Sequence, residues 1–264
     1  MLRRLAPLLL AAWLGIVGLA GAQEDDPRDA ARRDVLYVSG RIDAFDTGAT
    51  AGGGGLEWLH PVTERGAFTV GGFAFSYLDS RWSYGRLGGH YFLLKDTTLL
   101  TAEANVGAGE EARGDFTYQI YKLGLSQALI DKRLYVTVEN LYVRVARVEE
   151  NLLNVGAIVY PIPALSARVN YYLSTAGNVS SSWLVGRLDW SVGRATLIGG
   201  FALGRAAPEQ FNIITATRRA VRTEAVFAGV SLPIGRQELT LVVEALRQPA
   251  VERIGGIFSW KIPF

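Results

Sequence analysis

His60 and His90 are the only two histidines in the 264-residue chain. His90 sits in WSYGRLGGHYFLL, with Ser83 upstream and Glu103 downstream. A hydroxyl, an imidazole and a carboxylate are the parts of a nucleophilic catalyst, but the base must reach the nucleophile. No spacing here singles out such a set, and no GxSxG, HExxH or P-loop occurs. His60 precedes Pro61 at a turn, and a lone histidine on a strand is most often a hydrogen-bonded structural residue. With no cysteine anywhere, thiolate metal sites and disulfides are excluded. TAGGGG at 50–55 lacks the Lys-Ser/Thr of a phosphate loop and opens no helix, so it reads as a loop tip. The residues thus indicate no enzyme, no metal and no cofactor.

The remaining polar chemistry is strictly patterned. In ALSARVNYYLS, 164–174, Leu165, Ala167, Val169, Tyr171 and Leu173 alternate with Ser166, Arg168, Asn170, Tyr172 and Ser174. In WLVGRLDWSV, 183–192, Leu184, Gly186, Leu188, Trp190 and Val192 oppose Val185, Arg187, Asp189 and Ser191. Side chains of a strand point alternately to opposite faces, so each segment carries one apolar and one polar face. Helical spacing is rare throughout.

Fourteen such segments are readable, at about 35–46, 52–60, 66–79, 82–94, 97–108, 115–128, 132–146, 150–160, 163–175, 180–192, 194–205, 219–234, 236–248 and 251–264. The second and third are the least regular, which leaves twelve strands possible. The segment at 132–146 changes phase near Asn140, as a β-bulge would. Connections after even segments are tight turns. Those after odd segments are looser, the longest near 206–218. The predicted fold is all-β: a transmembrane up-and-down antiparallel barrel of about fourteen strands, with both ends on one side. A β-sandwich or a lipocalin-like barrel shares the periodicity. The strand number and the continuity of both faces favour the membrane barrel. Aromatic residues near segment ends (Tyr37, Trp58, Tyr77, Trp82, Tyr84, Tyr118, Tyr160, Trp183, Trp190, Trp260) are expected to form girdles at both membrane boundaries.

Residues 1–22 have the layout of a secretory signal. Arg3 and Arg4 precede an apolar run that ends in Ala20-Gly21-Ala22. Residues 23–34 are charged and aperiodic, a periplasmic lead-in, and 35–264 form the barrel. Without Arg3 and Arg4 the chain carries 25 residues of each charge sign, so nothing favours nucleic acid.

The last segment, GGIFSWKIPF, places Phe258, Trp260, Ile262 and Phe264 on one face and stops on an aromatic residue. This resembles the C-terminal signature of Gram-negative outer-membrane β-barrel proteins. The resemblance implies that Phe258, Trp260, Ile262 and Phe264 form the signal read by the barrel assembly machinery. Size and short loops are also similar to small fourteen-stranded porins and to the YaiO-type barrel. Implied with it are the cell outer membrane of a Gram-negative bacterium as the location, its lipid as solvent, and a possible periplasmic partner.

With apolar faces toward lipid, the polar faces line the interior. That places Arg41, Asp43, Arg86, His90, Glu103, Lys122, Arg168, Arg187, Asp189, Glu224 and Glu244 in the lumen, with Glu139, Arg222, Glu238, Arg253 and Lys261. The signs are mixed, so strong ion selectivity is not expected. The expected function is a passive channel for small polar solutes, or the barrel component of an envelope transport system. The alternatives are a lipid- or peptide-hydrolysing enzyme, and a structural barrel docking a periplasmic or polysaccharide-export partner. Paired lumenal charges would brace the wall rather than tune passage.

Overall fold

The computed structural model describes residues 33–77, 80–94, 97–111, 114–130, 133–146, 148–206 and 220–264. Residues 1–22, most of 23–34 and the connection at 207–219 lie outside the described residues. Fourteen strands follow one another: β1 (Val35–Phe45), β2 (Thr50–Thr63), β3 (Gly66–Tyr77), β4 (Ser80–Leu94), β5 (Thr98–Glu111), β6 (Gly114–Ile130) and β7 (Leu134–Val145). The second half is β8 (Val148–Ile162), β9 (Leu165–Gly177), β10 (Ser182–Val192), β11 (Ala195–Ala206), β12 (Val221–Ile234), β13 (Gln237–Gln248) and β14 (Val251–Pro263). Each pairs antiparallel with its neighbours in sequence, and β1 pairs with β14, so the sheet closes into a barrel without an edge. Closure satisfies every strand's ladder within the chain.

Closure also gives alternate residues an inside and an outside. On β1, Arg41 and Asp43 are 5% and 1% exposed, while Ile42 between them is 64% exposed. The same parity runs through the register. Arg41 faces Gly53 on β2, which faces Phe75 on β3, which faces Trp82 on β4, so all four look inward. Outward positions are apolar over most of each strand. On β12, Val226 to Ile234 span about 26 Å of strand, or about 20 Å of barrel height at a tilt near 40°.

Four sequence expectations need correction. The phase change near Asn140 is no bulge: β7 and β8 stay in register from Leu134↔Val159 to Val145↔Val148. The β6–β7 register shift lies instead between Ala128 and Ile130. The hydrophobicity changes phase while the backbone does not, because Val136 and Val138 point outward and Val143 and Val145 point in. Secondly, 50–55 is strand, not loop tip. Gly53 and Gly55 are inward positions roofed by Phe75 and Phe73. A Cβ on either would come within 2.3 and 2.2 Å of those rings.

Thirdly, most connections after odd strands are as tight as the others. Tyr77 pairs with Ser80, Glu111 with Gly114, Val145 with Val148 and Gln248 with Val251. Fourthly, only three of the ten residues expected in the aromatic girdles point outward. Trp58, Trp190 and Trp260 point outward, with Tyr91 and Phe264, at the end that holds the chain termini and the even-to-odd turns. Tyr37, Tyr77, Trp82, Tyr84, Tyr118, Tyr160 and Trp183 point inward. The outward face toward the opposite, loop end carries charges together with Tyr121, Tyr142 and Phe201. The barrel interior needs large side chains, and aromatic residues near strand ends fill it as readily as they mark a boundary.

Candidate functional site: a layered lumen

Inward residues fall into tiers. The loop half is an apolar cluster drawn from most strands, including Phe45, Tyr77, Trp82, Tyr118, Leu152, Trp183 and Leu246. Its rings stack between adjacent strands and, in one case, across a glycine on the strand between them. Gly107 on β5 is the register partner of both Tyr84 and Tyr118, whose centroids lie 4.6 Å apart at 9°. Phe75 and Trp82 stack at 5.4 Å, and Tyr172 and Trp183 at 4.6 Å. Such ring pairs add about 0.5–1.5 kcal/mol each beyond the area they bury.

Below this tier lies a belt of ion pairs. Gly71 on β3 is the register partner of Glu57 and Arg86, so two side chains from strands either side meet over a bare backbone. Arg86 Nη1 reaches Glu57 Oε2 at 2.8 Å and Arg86 Nη2 reaches Glu103 Oε2 at 2.7 Å. Lys122 Nζ stands 3.3 Å from that same oxygen, and Asn105 Nδ2 donates to Glu103 Oε1 at 2.7 Å.

The closing seam repeats the device. Gly255 on β14 is the partner of Asp43 and Glu244. Arg41 Nε donates to Asp43 Oδ2 at 2.5 Å, Arg253 Nε lies 3.7 Å from Asp43 Oδ1, and Arg253 Nη2 donates to Glu244. Arg253 and Glu244 are both 0% exposed and Arg41 and Asp43 are 5% and 1%, so the seam cluster is almost wholly buried.

A third group lies on β7–β10. Arg187 grips Asp189 with Nε at 2.9 Å and Nη2 at 2.8 Å, and Asn154 Nδ2 donates to Glu139 Oε2 at 2.6 Å. Arg168 stands directly opposite Arg187. Arg168, Arg187 and Asp189 line a recess with Tyr160, Ser166 and Thr196 at the turn end. His90 and Lys261 are also inward and half-buried toward this end.

Arg41, Asp43, Arg86, His90, Glu103, Lys122, Arg168, Arg187, Asp189 and Glu244 are therefore on the inner face. Glu224 is not, and neither is Arg222. Inward parity on β12 belongs to Thr223, Ala225 and Phe227, which are buried, whereas Arg222 is 80% exposed. Both charges lie past the apolar band at the loop end, where an outward charge meets polar surroundings at little cost. Ser83 is outward and His90 inward on β4, so they form no nucleophile–base pair. His60 is outward at the turn end, with Nδ1 2.6 Å from Asp34 Oδ1. Among the described residues no group of three or more potential ligands could hold a metal ion.

Sequence reasoning passed over Glu57, Asn105, Glu150 and the inward rings. Parity was the available signal for Glu57, between outward Leu56 and Trp58. Glu150 was hidden because its inward neighbours Val148 and Leu152 are apolar. Its carboxylate accepts from Ser181 N and Oγ, each at 3.0 Å, and so ties the β9–β10 connection inward.

The architecture is shared with solved barrels at low identity. CymD, a monoaromatic hydrocarbon channel, matches with a TM-score of 0.64 at 11% identity, over 97% of this chain and 98% of its own. The toluene transporter TodX of P. putida matches at 0.60 and 10%, over 90% and 92%. The toluene transporter TbuX of Ralstonia pickettii matches at 0.59 and 13%, over 96% and 95%. At such identities the likeness establishes the fold. No protein-family profile and no curated protein matches the sequence.

Proposed function

We propose that this chain is an outer-membrane channel for small solutes, exported by its N-terminal signal and inserted through its C-terminal strand. The single observation that carries the channel reading is the chemical layering of the lumen. A loop half that is ring-lined except at the β13–β14–β1 seam, where buried ion pairs interrupt it, lies over a paired ionic belt, inside a wall whose outer face is apolar over about 20 Å of height, near the roughly 25 Å band of membrane barrels. The likeness to barrels described as hydrocarbon channels and toluene transporters supports the same reading.

The layering also bears on the solute. Polar solutes were the expectation from the charged positions alone. The belt charges are mutually paired, and a passing ion would have to displace those partners. The ring-lined tier offers flat apolar surface, so small uncharged molecules, ring-bearing ones among them, suit this lumen better than ions. No spacing or geometry favours the hydrolase alternative.

Planar-bilayer recording of the purified barrel tests this. Wild-type protein is expected to pass little ionic current. Trp82→Ala with Tyr84→Ala, which opens the ring tier, is expected to raise conductance several-fold without loss of the folded form. Wild-type and variant barrels that are folded and equally silent at all voltages would overturn the channel reading.

A further inference from the structure

The outward face has one sector whose charges the lumen does not use. At the loop end, Arg205 on β11 stands directly opposite Arg222 on β12, and Glu224 stands opposite Arg247 on β13. All four point outward. Arg205, Glu224 and Arg247 occupy the first outward positions past the apolar band, just beyond Leu203, Val226 and Ala245, and Arg222 the second on its strand. Like charges directly opposite each other on paired strands destabilise a sheet unless something neutralises them.

Partial neutralisation comes from within. Glu224 Oε1 accepts from Arg222 Nε at 2.8 Å and lies 2.5 Å from Arg222 Nη2. Arg247 Nε lies 3.2 Å from Glu252 Oε1. Among the described residues no carboxylate pairs with Arg205. A guanidinium has five N–H donors, so Arg222 keeps three for a further acceptor, in an orientation its carboxylate already holds. Arg222, Glu224 and Arg247 line a surface recess closed on its far side by Glu252 and Asp46. The basic edge is thus β11–β12 and the acidic edge β14–β1. The rest of the rim differs. Glu110 stands opposite both Arg81 and Asp115, an acidic sector, and Arg144 is matched by Glu149.

We propose that Arg205 and Arg222, with Arg247 beside them, bind the phosphate-bearing headgroup of a lipid in the surrounding leaflet. The acyl chains would lie on the apolar strip of β11–β13 directly beneath, where Phe201, Leu203 and Val226 are exposed. Continuity of that strip with the arginine row favours a lipid over a free anion, because one molecule can satisfy both surfaces. The inference rests on the membrane reading above.

Native mass spectrometry of the detergent-purified barrel tests it, with diphosphorylated lipid A, its dephosphorylated form and inorganic phosphate as probes. Retention of the phosphorylated lipid over the dephosphorylated one is expected. Arg205→Gln with Arg222→Gln should lower that retention by about twenty-five-fold, since one arginine near an anionic lipid surface is worth about fivefold. Arg205→Lys with Arg222→Lys should keep most of it, and Arg144→Gln all of it. Equal retention of both lipids, or retention indifferent to the glutamine pair, would overturn the proposal. Displacement of the lipid by equimolar inorganic phosphate would overturn it too, by revealing a small-anion site. Insertion of wild-type barrel into liposomes, read separately by its heat-dependent gel mobility, decides the membrane reading. A barrel that inserts but retains no lipid fails only here.

Discussion

At the scale of single residues, the lumen is organised by which strand yields room. Glu57 and Arg86 meet because Gly71 lies between them, and Asp43 and Glu244 meet over Gly255. A Cβ on Gly255 would stand 2.2 Å from Asp43 Oδ1. The seam cluster pairs two arginines with two carboxylates away from solvent. Removing one member of a buried pair leaves an uncompensated charge, at a cost of about 3–5 kcal/mol, whereas replacing both by apolar residues is often neutral. Glu244→Ala should therefore lower the folded barrel's urea midpoint in detergent, followed by tryptophan fluorescence. Glu244→Met with Arg253→Met should recover most of the loss, because Arg41 and Asp43 remain paired. A double variant as weak as the single one would mean that the cluster acts as more than a charge balance.

At the scale of the strand, one alternating pattern serves two solvents. β10 shows this most plainly: Leu184, Leu188, Trp190 and Val192 outward, Trp183, Val185, Arg187 and Asp189 inward. On the membrane reading, Leu188 lies within the apolar band. Leu188→Arg should cost about 2–4 kcal/mol if it sits at mid-depth, measured as loss of the folded form in bilayers. The arginine next along the lumenal face, Arg187, sits there without that penalty because Asp189 accepts its N–H groups. An equal tolerance of arginine at 188 and at the loop-end rim would contradict the lipid exposure of this face. Strand positions and parity were legible here and on β9. On β7 and β8 the positions were legible but the parity near the loop end was not, since apolar residues occupy both faces there and hydrophobicity no longer reports direction.

At the scale of the whole molecule, the decisive contact is closure. β1 and β14 pair from Val35↔Pro263 to Phe45↔Arg253, and Phe264 N donates to Asp34 O at 2.9 Å beyond the last pair. The outward residues Phe258 and Trp260 of β14, with Phe264 just past its end, sit at the termini-bearing rim or approach it. Deletion of Phe264 removes one seam hydrogen bond and one rim aromatic. It should reduce barrel yield in the outer membrane more than synthesis or export, as quantified by the heat-resistant fraction on gels. Unchanged yield would refute the proposed role of the terminal residue in assembly.

Strand order and the termini-bearing end follow from the sequence itself, which leaves the number at twelve or fourteen, because alternation and turn residues are local signals that survive without tertiary context. The inward set of charges follows in the same way wherever one face is apolar, as at Arg187 and Asp189. What needed the closed barrel was the other end of the chemistry. Whether Trp82, Tyr84 and Tyr118 point in or out depends on register carried strand by strand from β1, and an aromatic residue is stable on either face. Whether Glu224 lines the lumen depends on the parity of β12, where Ala225 and Phe227 turn inward and send the charge outward at the rim. Which carboxylate meets which arginine depends on the inward glycines at 71 and 255, whose significance appears only when the flanking strands are in place.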